Sequence, residues 1–167
     1  VNGDGCDDLV VGAYDAAESP GNQGTGRVYV LYGGATFDTI PDVVLRGGHD
    51  GDYEGFGISV TAQGDFDHDG FHDLYIGAWQ YGSQSQGRMY VYYGGSPMDT
   101  SYDMAMLGEG VAHFFGFERP GTLNAQGSLD YAVEGNELWP HGAYNPGANS
   151  GKVYVHQGGR PMDSVPE

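Results

Sequence analysis

Residues Asp65 to Asp73 read DFDHDGFHD and run directly into LYIGA, Leu74 to Ala78. Carboxylates at alternate positions, a glycine and a closing Asp make a loop that can wrap a hard cation, because alternate side chains turn inward as the backbone curls. The β-prone run behind it says that the loop opens onto a strand. The same signature begins the chain as NGDGCDDLVVGA, Asn2 to Ala13. Asp4, Gly5, Asp8, Gly12 and Ala13 recur there as Asp69, Gly70, Asp73, Gly77 and Ala78. A cation loop on a repeat is a stronger indication than either feature alone.

The repeat extends along the chain. GRVYVLYGG (Gly26 to Gly34) returns as GRMYVYYGG (Gly87 to Gly95) and GKVYVHQGG (Gly151 to Gly159). Each is a short β-prone run between glycine punctuation, which reads as a strand. One full unit is predicted to hold a strand at Gly57 to Ala62, the cation loop, and a strand at Leu74 to Ala78. A variable loop, a strand at Arg88 to Tyr93 and a last strand near Met104 to Leu107 complete it. DVVLRGG (Asp42 to Gly48) reads as the equivalent last strand of the unit before. Four short strands in about 60 to 65 residues is the size of a propeller blade. The predicted fold class is therefore all-β, with β-propeller blades of four antiparallel strands. The chain reads as one propeller segment over 1–167, with a partial blade at 1–48, a complete blade at 49–110 and a partial blade at 111–167. The first would lack its opening strand and the third its last, so the chain reads as a piece of a longer polypeptide.

Composition agrees. The 31 glycines among 167 residues suit short strands and tight turns better than helices, since each glycine inside a helix costs about 1 kcal/mol relative to alanine. Lys and Arg total 6 against 23 Asp and Glu, a net charge of −17, which makes nucleic acid and anionic membrane surfaces poor partners. No run reaches the roughly 18 apolar residues of a membrane span, so direct membrane insertion is not expected. The lone Cys6 leaves no internal disulfide framework.

The middle loop offers Asp65, Asp67 and Asp69 at positions 1, 3 and 5, Gly70 for the turn, the Phe71 carbonyl, and Asp73 to close the shell. All are hard oxygen donors, which favours Ca2+ over zinc or copper, and Mg2+ fits a tighter octahedron with retained waters. An EF-hand would need Glu at position 12 and an exiting helix, whereas Ile76 stands there on a predicted strand. The first loop offers Asn2, Asp4, the Cys6 carbonyl and Asp8, and the partner of Asp65 would lie before Val1. Beside the carbonyl role, a thiol role for Cys6 is the minor alternative. In the third unit Asp130, Glu134 and Gly135 align, but Ala132 and Leu138 fall at ligand positions. A frame anchored on Gly127 and Asp130 offers Thr122, Asn124 and Gln126 with a single carboxylate. Either frame carries too little charge, and that loop reads as degenerate. Since each loop joins neighbouring strands, the ion's expected role is structural, its binding energy becoming folding energy.

Phe56-Gly57, then Asp65 to Asp73, then Gly77-Ala78, together resemble the FG-GAP repeat of integrin α-subunit β-propellers and their bacterial relatives. The third letter of GAP is Tyr14, Trp79 and Tyr144 here, never Pro. The resemblance implies a closed parent of about seven blades, structural calcium sites on the face away from the ligand-binding loops, and an extracellular setting, secreted or cell-surface. It implies a non-enzymatic binding or adhesion scaffold with a protein or glycan ligand. FG-GAP repeats also accompany hydrolases and lyases, so an enzyme would need catalytic residues from elsewhere.

Other candidates are weaker. The histidines His49, His68, His72, His113, His141 and His156 show no HxH or HExxH spacing, and no GxSxG, P-loop or CxxC occurs. Tyr14, Trp79 and Tyr144 occupy equivalent positions, with Tyr81, Phe114 and Trp139 elsewhere; they pack between blades or form an aromatic ring that stacks sugars or grips a protein. Alternatives to the adhesion scaffold are therefore a carbohydrate-binding propeller, and a structural subunit of an extracellular assembly that self-associates through open blade edges.

Overall fold

The computed structural model describes residues 1–17, 24–48 and 53–108, together with the backbone of three strands farther on. Those residues form strands and turns, with no helix among them. β1 (Leu9–Ala13), β2 (Arg27–Leu31) and β3 (Val43–Arg46) make one antiparallel sheet in that order. β4 (Phe56–Gly64), β5 (Asp73–Ala78), β6 (Arg88–Tyr92) and β7 (Met104–Leu107) make a four-stranded antiparallel sheet, each strand beside its sequence neighbour. β8 (Gly121–Ala125), β9 (Ser128–Gly135) and β10 (Lys152–His156) form a third sheet, with β9 in the middle. These up-and-down sheets are propeller blades.

The three strands of the first sheet pair in the same register as β5, β6 and β7 of the second. Leu9↔Leu31 through Ala13↔Arg27 is the register of β1 and β2; Leu74↔Tyr92 through Ala78↔Arg88 is that of β5 and β6. Each outer strand begins beneath an aspartate used twice. The Asp42 amide donates to the Val30 carbonyl at 2.9 Å while its Oδ2 accepts from the Tyr32 amide at 2.7 Å. Asp103 does the same with Val91 and Tyr93 at the same distances. An Asp side chain that satisfies an otherwise orphan amide is a strong stop between strands. β4 is longer than its sequence suggests, because it absorbs register shifts between Phe56 and Val60 and between Thr61 and Gly64. Such bulges bend and twist the strand that carries them.

The sheets at 9–46 and 56–107 pack face to face. Val28, Val30, Val43 and Leu45 from one meet Phe56, Leu74, Ile76, Ala78, Tyr90 and Tyr92 from the other. The second face of the four-stranded sheet carries its own cluster of Phe66, Tyr75, Met89, Val91 and Met106. All six residues of β5 are buried in consequence, which is why its sequence is continuously apolar after Asp73.

The Phe56-Gly57 pair is the interlock. The Phe56 amide donates to the Thr25 carbonyl at 3.2 Å, and its ring stands edge-on to Tyr90 at 5.4 Å. A Cβ on Gly12 would lie 2.2 Å from the Gly57 carbonyl oxygen, so the first sheet must have glycine where this pair crosses it. Glu54, just before, is 1 % exposed; it accepts from the Gly48 amide, and its Oε2 accepts from the Tyr90 hydroxyl at 2.6 Å. That carboxylate ties the link between the sheets to the second of them.

Candidate metal centre

The loop from Asp65 to His72 joins β4 to β5 and is shaped by its own carboxylates. The Asp69 amide donates to Asp65 Oδ1 at 3.0 Å and to Asp67 Oδ1 at 3.2 Å, and the Gly70 amide donates to Asp65 Oδ2 at 2.9 Å. Gly70 has φ +95, the left-handed turn that glycine takes without strain. The Asp69 carboxylate faces the next amide instead, accepting from Phe71 at 2.9 Å.

Asp65, Asp67 and Asp73 each bring a carboxylate oxygen within 4.8 Å of the others. Oxygens around one calcium lie within about 5 Å of each other, since each Ca–O distance is about 2.3–2.6 Å. The donor set is hard, anionic and close enough, so the residues fit a calcium ion. Of the four carboxylates expected to converge, the structure gathers these three. Asp69 is exposed and outside the group, held by its bond to the Phe71 amide. His68 and His72 point to solvent.

Asp73 is fully buried, at the first residue of β5. Its Oδ2 accepts from the Phe66 amide at 2.7 Å and its Oδ1 from the Gly94 amide at 2.9 Å. Burial pushes its carboxyl up to about 6; the two amides oppose this, and the Asp67 and Asp69 charges add to it. A buried carboxylate beside two others is the electrostatic situation that a divalent ion relieves.

The first loop repeats the frame with different charge. The Cys6 amide donates to Asp4 Oδ1 at 2.8 Å, as Phe71 does to Asp69. Asp8 Oδ1 accepts from the Gly33 amide at 2.9 Å, and its Oδ2 accepts from the Val1 nitrogen at 2.7 Å. Asn2 and Asp4 are bound to each other, Asn2 Nδ2 to Asp4 Oδ2 at 3.1 Å, and Cys6 is a free, exposed cysteine. Among the described residues, three metal-ligating side chains converge in the 65–73 loop and not in this one.

In the third unit β8 and β9 pair as far as Ala125 and Ser128, so only residues 126 and 127 separate them in sequence. That leaves no length for a nine-residue cation loop between these strands. The side chain of Asp130, like His49, His113, Phe114, Trp139, His141, Tyr144 and His156, lies outside the described residues. Of the aromatics that are described, Tyr14 is 44 % exposed, while the Trp79 indole covers Gly55. Arg88 stacks on the Tyr81 ring at 3.5 Å.

Sequence reasoning missed two parts of this arrangement. Gly33 and Gly94 stood out only as punctuation, yet their amides hold the closing carboxylates. Glu54 carried no signal beyond its place before Phe56-Gly57.

Residues 1–31 and 56–92 match the model of the FG-GAP repeat. Integrin alpha-PS2 of Drosophila melanogaster is 31% identical over 185 aligned positions, covering 99% of this chain and 12% of that protein. Integrin alpha-5 of Xenopus laevis is 37% identical over 97 residues, 56% of this chain and 9% of its own length. Phosphatidylinositol-glycan-specific phospholipase D of Mus musculus is 40% identical over 102 residues, 56% of this chain and 12% of its own. The chain thus spans about a tenth of the length of these relatives.

Proposed function

The chain belongs to the FG-GAP repeat family, with integrin-α-like repeats, and on that premise we propose that it is a calcium-braced segment of an extracellular adhesion propeller. The observation that carries the calcium role is the convergence of Asp65, Asp67 and fully buried Asp73 within 4.8 Å on a loop joining two strands of one blade. Asp69, once turned from the Phe71 amide it accepts from here, and the Phe71 carbonyl would complete that site. Asn2, Asp4, the Cys6 carbonyl and Asp8 would have to rearrange to form a second, weaker one. The ion braces each hairpin and takes no part in chemistry. The blades divide at 1–48, 49–110 and 111–167.

The integrin names support a protein ligand and a secreted or cell-surface setting. No described helix is long and apolar enough to cross a membrane. One relative carries the name of a phospholipase, so an enzyme is the rival class, its catalytic residues lying outside this chain.

Thermal melting in calcium and in EDTA tests the reading. Calcium should raise the melting temperature in a concentration-dependent way; identical melting in both would overturn it.

Two observations favour secondary readings. Exposed Tyr14 fits a carbohydrate-binding propeller, which a glycan array would detect. Leu9 and Val11, 48 % and 41 % exposed, stand where β5 has fully buried Leu74 and Ile76. That face fits another blade or a second copy in an assembly, and the mass in solution distinguishes the monomer from the assembly.

A further inference from the structure

The first two sheets pack face to face, and the two ends of their junction are held differently. At one end the chain runs from β3 into β4; the Phe56 amide donates to the Thr25 carbonyl at 3.2 Å, and Glu54 ties the link to Tyr90. At the other end, where residues 2–8 and 65–73 lie, the described residues are joined only through space. The ring of Phe71 lies so close over Gly3 that a Cβ there would be 2.7 Å from Phe71 Cε1, and Gly3 holds φ +74. The Gly95 amide donates to the Val1 carbonyl at 3.2 Å, while the Gly94 amide beside it donates to Asp73 Oδ1 at 2.9 Å. Val1 in turn packs against the core cluster that the two sheets share. A cleft of about 800 Å3 opens beside these contacts, with Gly5, Asp7 and Val10 on one side and Val60, Gly70 and His72 on the other. Continuous packing therefore does not close this end; a few contacts made by the 65–73 loop and its Gly94 anchor do.

We infer that calcium in the 65–73 loop fastens the second sheet to the first, with Phe71 carrying its effect across the junction. This rests on the reading of that loop as a calcium site and requires no ion in residues 2–8. Asp65, Asp67 and Asp73 bring oxygens within 4.8 Å of one another. Like charges that close repel, and without a cation the repulsion is relieved by opening the loop. Phe71 stands between Asp69 and Asp73 in sequence, so a loop that opens carries the ring off Gly3. A cation that holds the three carboxylates together fixes the loop backbone, and with it the ring. It also keeps Asp73 on the Gly94 amide, and so the next amide on Val1. The binding energy of one ion is thereby shared between its own hairpin and the contact between two repeats. The link end contains none of these residues, so it stays closed with or without the ion, and the sheets loosen from the loop end alone. Phe71 is a positioning residue for the first repeat.

Amide hydrogen exchange reads both ends in the whole chain. Gly94 reports on the 65–73 loop, Gly33 on the first repeat through its bond to Asp8 Oδ1, and Phe56 on the link end. Exchange would be compared in calcium chloride and in EDTA. Calcium should slow Gly94 and Gly33 by at least about five-fold and leave Phe56 within about two-fold. In Asp67→Asn, at a calcium concentration where Gly94 no longer responds, Gly33 should not respond either. In Phe71→Leu, too short to cover Gly3 in the same way, Gly94 should still slow while Gly33 stays within about two-fold. Phe71→Ala substitutes if the leucine variant does not fold. Slowing of Gly94 without Gly33 in the parent would mean an ion that braces its hairpin alone: the fastening fails and the calcium reading stands. A Gly33 response that survives Asp67→Asn or the loss of the Phe71 ring would overturn the fastening too, as would equal slowing of all three amides. Silence of Gly94 in the parent would overturn the calcium reading itself, and the fastening with it.

Discussion

The Gly94 amide donates to Asp73 Oδ1 at 2.9 Å across 21 residues, joining the end of β6 to the carboxylate that closes the 65–73 loop. Gly33 and Asp8 stand in the same relation at the same distance in the unit before. The loop is therefore anchored from outside its own hairpin, by a strand that its sequence does not contain.

Gly94→Ala tests that anchor. The new Cβ would meet the His72 carbonyl oxygen at 2.4 Å, backbone against backbone, so either β6 or the loop must shift. We expect a loss of about 1–3 kcal/mol in urea denaturation. Calcium affinity should weaken as well, because Asp73 is displaced with the loop. A variant as stable as the parent would show that the close approach does not constrain the loop.

Asp73 predicts an inverted pH dependence without metal. Its carboxyl sits at about 6 in the folded chain, above the ordinary 3.8, chiefly through burial. The folded state thus holds the proton more tightly than the unfolded one. The resulting stability is fully present below about pH 3.8 and is lost as pH rises through about 6. In EDTA, Asp73→Asn should gain stability relative to the parent on going from pH 5 toward about 7, as read by chemical denaturation. Calcium needs the deprotonated carboxylate, so its apparent affinity should fall as pH drops through about 6. Parallel pH profiles for parent and variant in EDTA would contradict this.

Phe56→Ala should destabilise by about 3–5 kcal/mol, the usual cost of emptying a buried aromatic site. Phe56 is fully buried between the sheets and stands against both Tyr90 and Tyr92. Equilibrium unfolding measures the loss, and a value under about 1 kcal/mol would show that the sheets close without it.

Glu54 and Tyr90 should behave as one unit. Glu54→Ala leaves the Tyr90 hydroxyl and the Gly48 amide without that acceptor, at a cost of about 1–3 kcal/mol. Tyr90→Phe, made together with Glu54→Ala, should cost less than the sum of the two single changes. A double-mutant cycle by urea denaturation reads this coupling, and strict additivity would refute it.

Much of the architecture was legible in local residues. Leu74 to Ala78 announced a strand directly after the loop, and the three Gly-bounded runs announced the same strand in successive units. These signals are local because alternation and turn chemistry depend on neighbours in sequence. The 65–73 loop was legible for the same reason, its alternating carboxylates and its Gly70 turn all falling within nine consecutive residues. The exception is Asp69, whose side chain turns to the Phe71 amide two residues on, a choice of rotamer that spacing does not encode.

By itself, then, the sequence determined the repeat, the strands and the acidic loop, since each is written within a few residues. Tertiary structure alone decided which carboxylates converge, that Asp73 is dry and pinned by Gly94, that Glu54 lies buried against Tyr90, and that the two loops meet at Phe71 and Gly3. Those outcomes depend on how one sheet lies on the next. Burial, which sets both the proton affinity of Asp73 and the close approach at Gly3, exists only once the sheets have packed.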